Sequence, residues 1–310
     1  MNSSQTELSF IAESAWGVTP TGSPLPAFQA IRMTGESLKI TNESVVSDEI
    51  RPDRNVPDTI LVGGDASGGI DGELSYGTFD DFLESVLFST WTGSPANSII
   101  NGVTQKSFTL QKKQTGNGLA AVYELYKGMV VDTMTINIAA KEKTTVGFTF
   151  VGKGGVIGTA ITGTVTDAGD EEILDGANAF TLSKAWTSPL PKLMSMTINI
   201  SNGLSGRSVA GSRDLVRVSA SRCTVTGSAS FYFETKAMMD LFLAGTAGEI
   251  AVTLGKVTGE KYTITLPNVK ITDADHFSPN NDDDVMLNVT WSAHYDDGID
   301  GTIKIDRAVA

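Results

Sequence analysis

A strand that runs directly into a short amphipathic helix occurs twice in this chain, and a chain that repeats one supersecondary unit folds most simply as two related halves. From Ile70 to Tyr76 the residues alternate. Ile70, Gly72, Leu74 and Tyr76 lie on one side and Asp71, Glu73 and Ser75 on the other, the pattern of a strand with one buried face. The period then changes. Phe79, Phe82, Leu83, Val86 and Leu87 share one helical face, behind Thr78 as N-cap and with Asp80 and Asp81 in the first turn. Further along, Val225, Gly227, Ala229, Phe231 and Phe233 alternate with Thr224, Thr226, Ser228, Ser230 and Tyr232, with Gly227 in the place of Gly72. Thr235 then caps a second short helix carrying Met238, Met239, Phe242 and Leu243.

The flanks repeat as well. Leu38-Lys39-Ile40 precedes the first copy and Met196 to Ile200 the second, each separated from its strand and helix by a long polar segment. Met134, Ile136 and Ile138, then Val146, Phe148 and Phe150, follow the first copy. Val269 and Ile271, then Leu287, Val289, Trp291 and Ala293, follow the second. At 310 residues the chain can hold two domains, each with its own core. Charged residues are only 19% and glycines number 32, in a chain rich in Thr, Ser and Val, which favours strands and turns over long helices. The expected fold class is mainly β, a sandwich or rolled sheet with a short flanking helix, duplicated in tandem.

Taken in order, residues 1–35 read as an extended N-terminal arm, because Gly17, Pro20, Gly22, Pro24 and Pro26 interrupt any period. Trp16 and Phe28 would pin it to a neighbouring surface; an arm folded back on its own domain is the alternative. Residues 36–153 form the first β domain and 154–190 a linker that starts the second copy, with Ala179-Phe180-Thr181-Leu182 echoing Ala27-Phe28-Gln29-Ala30. Residues 191–295 form the second β domain and 296–310 a tail or added edge strand. Gly116-Asn117-Gly118 marks a hairpin turn between Ser107 to Leu110 and Val122 to Tyr126.

Each half contains a polar loop far longer than the usual connection of about 4 to 6 residues. Between Glu43 and Asp65 six acids (Glu43, Asp48, Glu49, Asp53, Asp58, Asp65) face only Arg51 and Arg54. Between Gly203 and Arg222, four arginines (Arg207, Arg213, Arg217, Arg222) face only Asp214. The two loops therefore carry opposite sign.

The chemistry of an enzyme is not written in this chain. His276 and His294 are its only histidines, and neither stands at metal-ligand spacing with Cys223 or the other. Gly152-Lys153-Gly154-Gly155-Val156-Ile157-Gly158 misses the spacing of a phosphate-cradling loop, and no Gly-x-Ser-x-Gly elbow occurs. Asn280 to Asp284 has oxygen ligands but neither the central glycine nor the closing glutamate of an EF-hand loop, and reads as a solvated turn. No catalytic, cofactor or metal residue is assigned. A lone Cys223 rules out an internal disulfide and packs as a small apolar residue. The N-terminus lacks the basic and apolar regions of a signal peptide, and no stretch approaches the roughly 20 apolar residues of a membrane span, so a soluble protein made in the cytoplasm is expected. A net charge of −13 disfavours tight binding to phosphate backbones.

With the duplicated unit, the Pro- and Gly-rich arm and the long loop together, the chain resembles the phage tail tube proteins, in the family whose tube domain occurs twice per chain. The resemblance is carried by Glu13-Ser14-Ala15-Trp16-Gly17-Val18-Thr19-Pro20, by Ser47 to Arg54, and by Gly69-Ile70-Asp71-Gly72-Glu73-Leu74 leading into Phe79 to Phe88. It is clearest over residues 8–152. It implies strands that join those of neighbouring copies around a channel, three chains making a ring of pseudo-six-fold symmetry. Rings would stack into the tube of a virion tail, meet other tail proteins at its ends, and pass DNA without binding it. Neither a cofactor nor a membrane is implied. Asp71 and Glu73 are the candidate lumen residues. Asp48, Glu49, Arg51, Asp53 and Arg54 in one loop, and Arg207, Arg213 and Arg217 in the other, are the candidate contacts between chains. A capsid decoration or baseplate protein, or a carbohydrate-binding β-sandwich, is the alternative.

Overall fold

The alternating segments form strands and the two segments of helical spacing form helices in a computed structural model of the chain. It describes residues 5–307 except 23, 25, 94–96, 117, 160, 161, 170, 178, 179, 189, 278–280 and 282. The first half runs β1 (Thr6–Ala12), β2 (Ala27–Ala30), β3 (Gly35–Glu36), β4 (Lys39–Val46), β5 (Thr59–Glu73), α1 (Asp80–Leu87), β6 (Ser98–Ile100), β7 (Phe108–Gly116), β8 (Leu119–Ala139), β9 (Thr145–Gly152), β10 (Gly154–Gly158) and β11 (Thr164–Thr166). The second runs β12 (Phe180–Ala185), β13 (Leu193–Ser201), β14 (Ser205–Arg207), β15 (Arg217–Ser219), β16 (Thr224–Tyr232), α2 (Ala237–Ala244), β17 (Gly248–Leu254), β18 (Tyr262–Phe277), β19 (Met286–Ala293) and β20 (Lys304–Arg307).

The duplication is visible in the pairings. β5 pairs with β9, β9 with β8 and β8 with β7, as β16 pairs with β19, β19 with β18 and β18 with β17. β1 flanks β7 as β12 flanks β17, and β10 flanks β8 as β20 flanks β18. Even the irregularities recur. The register slips between Val131 and Thr133 in β8 and between Ile271 and Asp273 in β18, and again between Phe108 and Leu110 in β7 and between Gly248 and Ile250 in β17. A bulge bends its strand, so both copies bend at the same places. The pairing sets Gly227, opposite Trp291, against Gly68, opposite Phe150. The match with Gly72 expected from the alternation is therefore four residues out of register.

β8 is long enough to serve two layers. Its N-terminal part pairs with β7 and β10, and its C-terminal part with β9 and β13. Between the layers lies α1. The Phe82 ring sits 4.9 Å from Phe10 and 5.2 Å from Phe108 on one side, 5.4 Å from Phe148 and 5.3 Å from Phe150 on the other, centroid to centroid. Phe79, Phe82, Leu83, Val86 and Leu87 are all buried, as their spacing requires. The helix starts one residue later than expected. Phe79 is its N-cap, without a side-chain cap, and the Thr78 hydroxyl bonds that of Ser75 instead. Likewise Lys236, not Thr235, caps α2, where Met238 is buried but Leu243 is 78% exposed.

Residues 1–35 are not a free arm. β1 pairs along its whole length with β7, and β2 pairs with β1 and with β11. The Glu13 carboxylate accepts hydrogen bonds from Gly17 N, Gly128 N, Ser107 Oγ and Thr109 Oγ1, while Trp16 Nε1 donates to Gly128 O. Trp16 thus pins the segment to its own domain, the alternative left open above. Residues 154–190 are not a simple linker either. β10 and β11 extend the first half, and Leu174 is clamped by backbone bonds to Leu74 and Thr144. β12 takes the place of β1, so Phe180 does not echo Phe28; Ala179 lies outside the described residues, as does Asn117 in the β7–β8 turn. The end of the chain forms β20, an added strand that pairs with β18 and with β6 of the first half.

Candidate assembly surface

The pairings carry one sheet through both halves in the order β4–β5–β9–β8–β13–β16–β19–β18. The seam is β8 against β13, from Thr133↔Ser201 to Ala139↔Ser195. On one face Ile70, Phe148, Met134, Ile136, Ile198, Ile200, Val289 and Trp291 are buried. The opposite face follows from the period of two. It presents Ser67 and Gly69 on β5, Thr145, Gly147 and Thr149 on β9, Thr133, Thr135 and Asn137 on β8, and Thr197 and Asn199 on β13. Thr224, Thr226, Ser228 and Ser230 on β16 and Asn288, Thr290 and Ser292 on β19 continue it. On β9, β8, β13, β16 and β19 this face is short, polar and uncharged, and its charged residues stand on the flanking strands β4, β5 and β18.

Its side chains bond sideways to one another. Thr133 and Thr149 lie 2.6 Å apart, Thr135 Oγ1 donates to Asn199 Oδ1 at 2.9 Å, Thr197 Oγ1 to Asn137 Oδ1 at 2.9 Å, and Ser230 Oγ to Asn288 Oδ1 at 2.8 Å. Asp71 and Glu73 both project from this face. Asp71 is exposed beside a groove lined by Ser37, Gly69, Thr133, Thr135, Asn137 and Thr149, whereas Glu73 is paired with Lys143. The sheet also has two open edges. Among the described residues β4 pairs only with β5, and Lys270–Phe277 of β18 only with β19.

The acidic loop is the distal part of the β4–β5 hairpin, and Asp48, Glu49, Arg51, Asp53 and Arg54 form its tip. Arg51 Nε and Nη2 donate to the Asp53 carboxylate at 3.1 and 3.0 Å, and this partner, together with Asn55, holds its pKa down to about 2. Ile50 is 99% exposed, and Val45, Val46, Val56, Ile60, Leu61 and Val62 are exposed along the same hairpin. The basic loop is a second ribbon on which Arg207 stands directly opposite Arg217. Arg213 donates to Asn42 Oδ1, and its carbonyl accepts from Gly64 N. The two loops therefore meet within one chain at the hairpin base. Among the described residues no ion pair joins Arg207, Arg213 or Arg217 to the acids of the tip.

Sequence reasoning missed two contacts that hold the halves together. Asn202 is buried and its Nδ2 donates to Val86 O at 2.9 Å and Val131 O at 3.2 Å. Asp80 of α1 accepts from Tyr262 Oη at 2.5 Å and is paired with Arg307, whose guanidinium lies 4.6 Å from the Trp91 ring centre. Burial raises the Asp80 pKa even though Tyr262 and Arg307 act to lower it, so this cluster fixes geometry at some cost in desolvation. Asn202 had a signal in the sequence, since Lys39-Ile40-Thr41-Asn42 and Asn199-Ile200-Ser201-Asn202 share their pattern.

Elsewhere, His276 stacks on Phe233 at 5.0 Å and His294 is exposed. Cys223 packs against the core, and burial pushes its thiol up to about 11. Among the described residues no group of His, Cys, Asp and Glu is placed to hold a metal ion, and no helix is long and apolar enough to cross a membrane. Asn280 and Asp282 of the oxygen-rich run lie outside the described residues. No curated protein matches the chain. A family model described as phage tail tube protein matches residues 3–293. The match spans nearly all of a chain whose fold is a duplicated β unit, and the chain belongs to the phage tail tube protein family.

Proposed function

We propose that three chains close into a ring of pseudo-six-fold symmetry and that rings stack into the DNA-conducting tube of a phage tail. The observation that carries this reading is the sheet that runs through both halves with one short polar face and an open edge at each end. Open edges invite pairing with another chain, and a heterologous contact that closes makes a ring. The two β units, 36–153 and 191–295 with the strands that flank them, are the two tube domains. The protein is made in the host cytoplasm, meets other tail proteins at the tube ends and carries out no catalysis.

The polar face is the channel wall in this reading. DNA moving along a wall must not be held by its phosphates, and a face of hydroxyls and amides that bond one another offers no cation cluster to hold them. Asp71 adds repulsion where it is open, and Glu73 less because Lys143 neutralises it. Purified protein viewed by negative-stain microscopy is expected to form hollow rings and tubes; solid particles or persistent monomers under all assembly conditions refute the reading. Asp71→Lys combined with Glu73→Lys is expected to leave tubes intact and to slow DNA ejection several-fold. Ejection at the unmodified rate removes both residues from the wall.

A further inference from the structure

We infer that the seam between β8 and β13 inside one chain is the template for the junction between chains, so that β18 of one copy pairs antiparallel with β4 of the next in a defined register. The inference rests on the ring reading above and adds the residues that meet. The correspondence is fixed by the bulges. Phe150 pairs with Val131 and Gly68, and Trp291 with Ile271 and Gly227, each just before the slip in β8 or β18. Thr133 and Thr135 therefore correspond to Asp273 and Asp275. Two residues before each glycine, Ala66 pairs with Ile40 and Val225 with Ile200, so Asn199 corresponds to Lys39 and Asn202 to Asn42. Carried over from Thr135↔Asn199, the junction places Asp275 of one chain directly opposite Lys39 of the next.

Two independent features fit this register. Asp275 and Lys39 are both exposed in the single chain and carry opposite charge, where the internal seam has the Thr135–Asn199 hydrogen bond. Opposite charges facing each other across strands favour pairing. The second feature is Asn42. Asn202 crosses the internal seam to Val86 O near the end of α1 and to Val131 O. Their counterparts are Leu243, likewise two residues before a left-handed helix cap, and Ile271 beside the β18 bulge. Asn42 is exposed and its Oδ1 accepts from Arg213, which leaves its amide N–H groups to reach those carbonyls on the neighbour.

The test uses the full chain with Cys223→Ser as background. Residues directly opposite in an antiparallel pair are about 4.5 to 5.5 Å apart at Cα, within disulfide reach. Lys39→Cys with Asp275→Cys is expected to link chains on mild oxidation, up to the size of the ring, and Lys39→Cys with Asp273→Cys several-fold less. Equal or better linkage in the shifted pair, or none in particles that microscopy shows to be rings, overturns the junction and leaves the ring reading standing. Failure of the unmodified chain to form rings removes the ring reading and the junction with it. A second set of variants needs no oxidation. Lys39→Asp and Asp275→Lys are each expected to cut ring yield several-fold and together to restore it; a double variant no better than the singles refutes the register.

Discussion

Phe82→Ala is expected to destabilise the unassembled chain by about 3 to 5 kcal/mol, the cost of removing a large aromatic from a core that cannot collapse around the hole. Phe82 is 1% exposed, and its ring lies 4.9 to 5.4 Å from rings on β1, β7 and β9, centroid to centroid. Those strands belong to different layers that are each held by their own ladders, so neither layer is free to move into the space. Urea unfolding followed by tryptophan fluorescence reads the effect as a lower midpoint. Leu243→Ala in α2 is the contrast, because that side chain is 78% exposed in the single chain and its loss is expected to stay within about 0.5 kcal/mol. A Phe82→Ala midpoint close to that of Leu243→Ala contradicts the placement of α1 between the layers.

That contrast between two helices of similar sequence position shows what the chain reveals by itself. Phe79 to Leu87 follows the helical period closely, and its buried face is the one the period names. In α2 the residues Ala237 to Ala244 are apolar nearly all round, so the pattern does not say which of them face the core. The same limit explains the strands. Alternation in β5, β9, β13, β16 and β19 names the buried face of each, but the partner across the ladder is chosen by contacts distant in sequence, and nothing local in Met134 to Ile138 points to β13. In β1, Leu8, Ser9 and Phe10 are buried in succession because both faces are covered, and the glycines and prolines that follow make the segment read as a loop. β10 and β11 are short and carry no period long enough to notice. The opposite charge of the two long loops was legible by counting, whereas the contact of Arg213 with Asn42 depends on where two hairpins cross.

Reversing Arg207 and Arg217 to Glu is expected to stop rings from stacking into tubes at physiological salt while leaving single rings. The two arginines stand directly opposite on the β14–β15 ribbon, an arrangement that destabilises a ribbon unless an anion relieves it. In the proposed stack the β4–β5 tip of a neighbouring ring would supply that anion, since Asp48 and Glu49 stand there exposed beside Ile50. Arg213 is the poorer choice for reversal because it also bonds Asn42 and would mix folding with assembly. Each exposed ion pair contributes only about 0 to 1 kcal/mol, so the expected loss of tubes comes from breaking the same contact in every chain of every ring. Combining the reversal with Asp48→Lys and Glu49→Lys should restore tubes, since the contact is then rebuilt with its signs exchanged. Tube length should also fall as salt is raised from 0.15 M towards 1 M, where the screening length drops from about 8 to about 3 Å. Length distributions by microscopy and sedimentation at each salt read the effect, and tubes of unchanged length in the double arginine variant would remove the tip from the stacking contact.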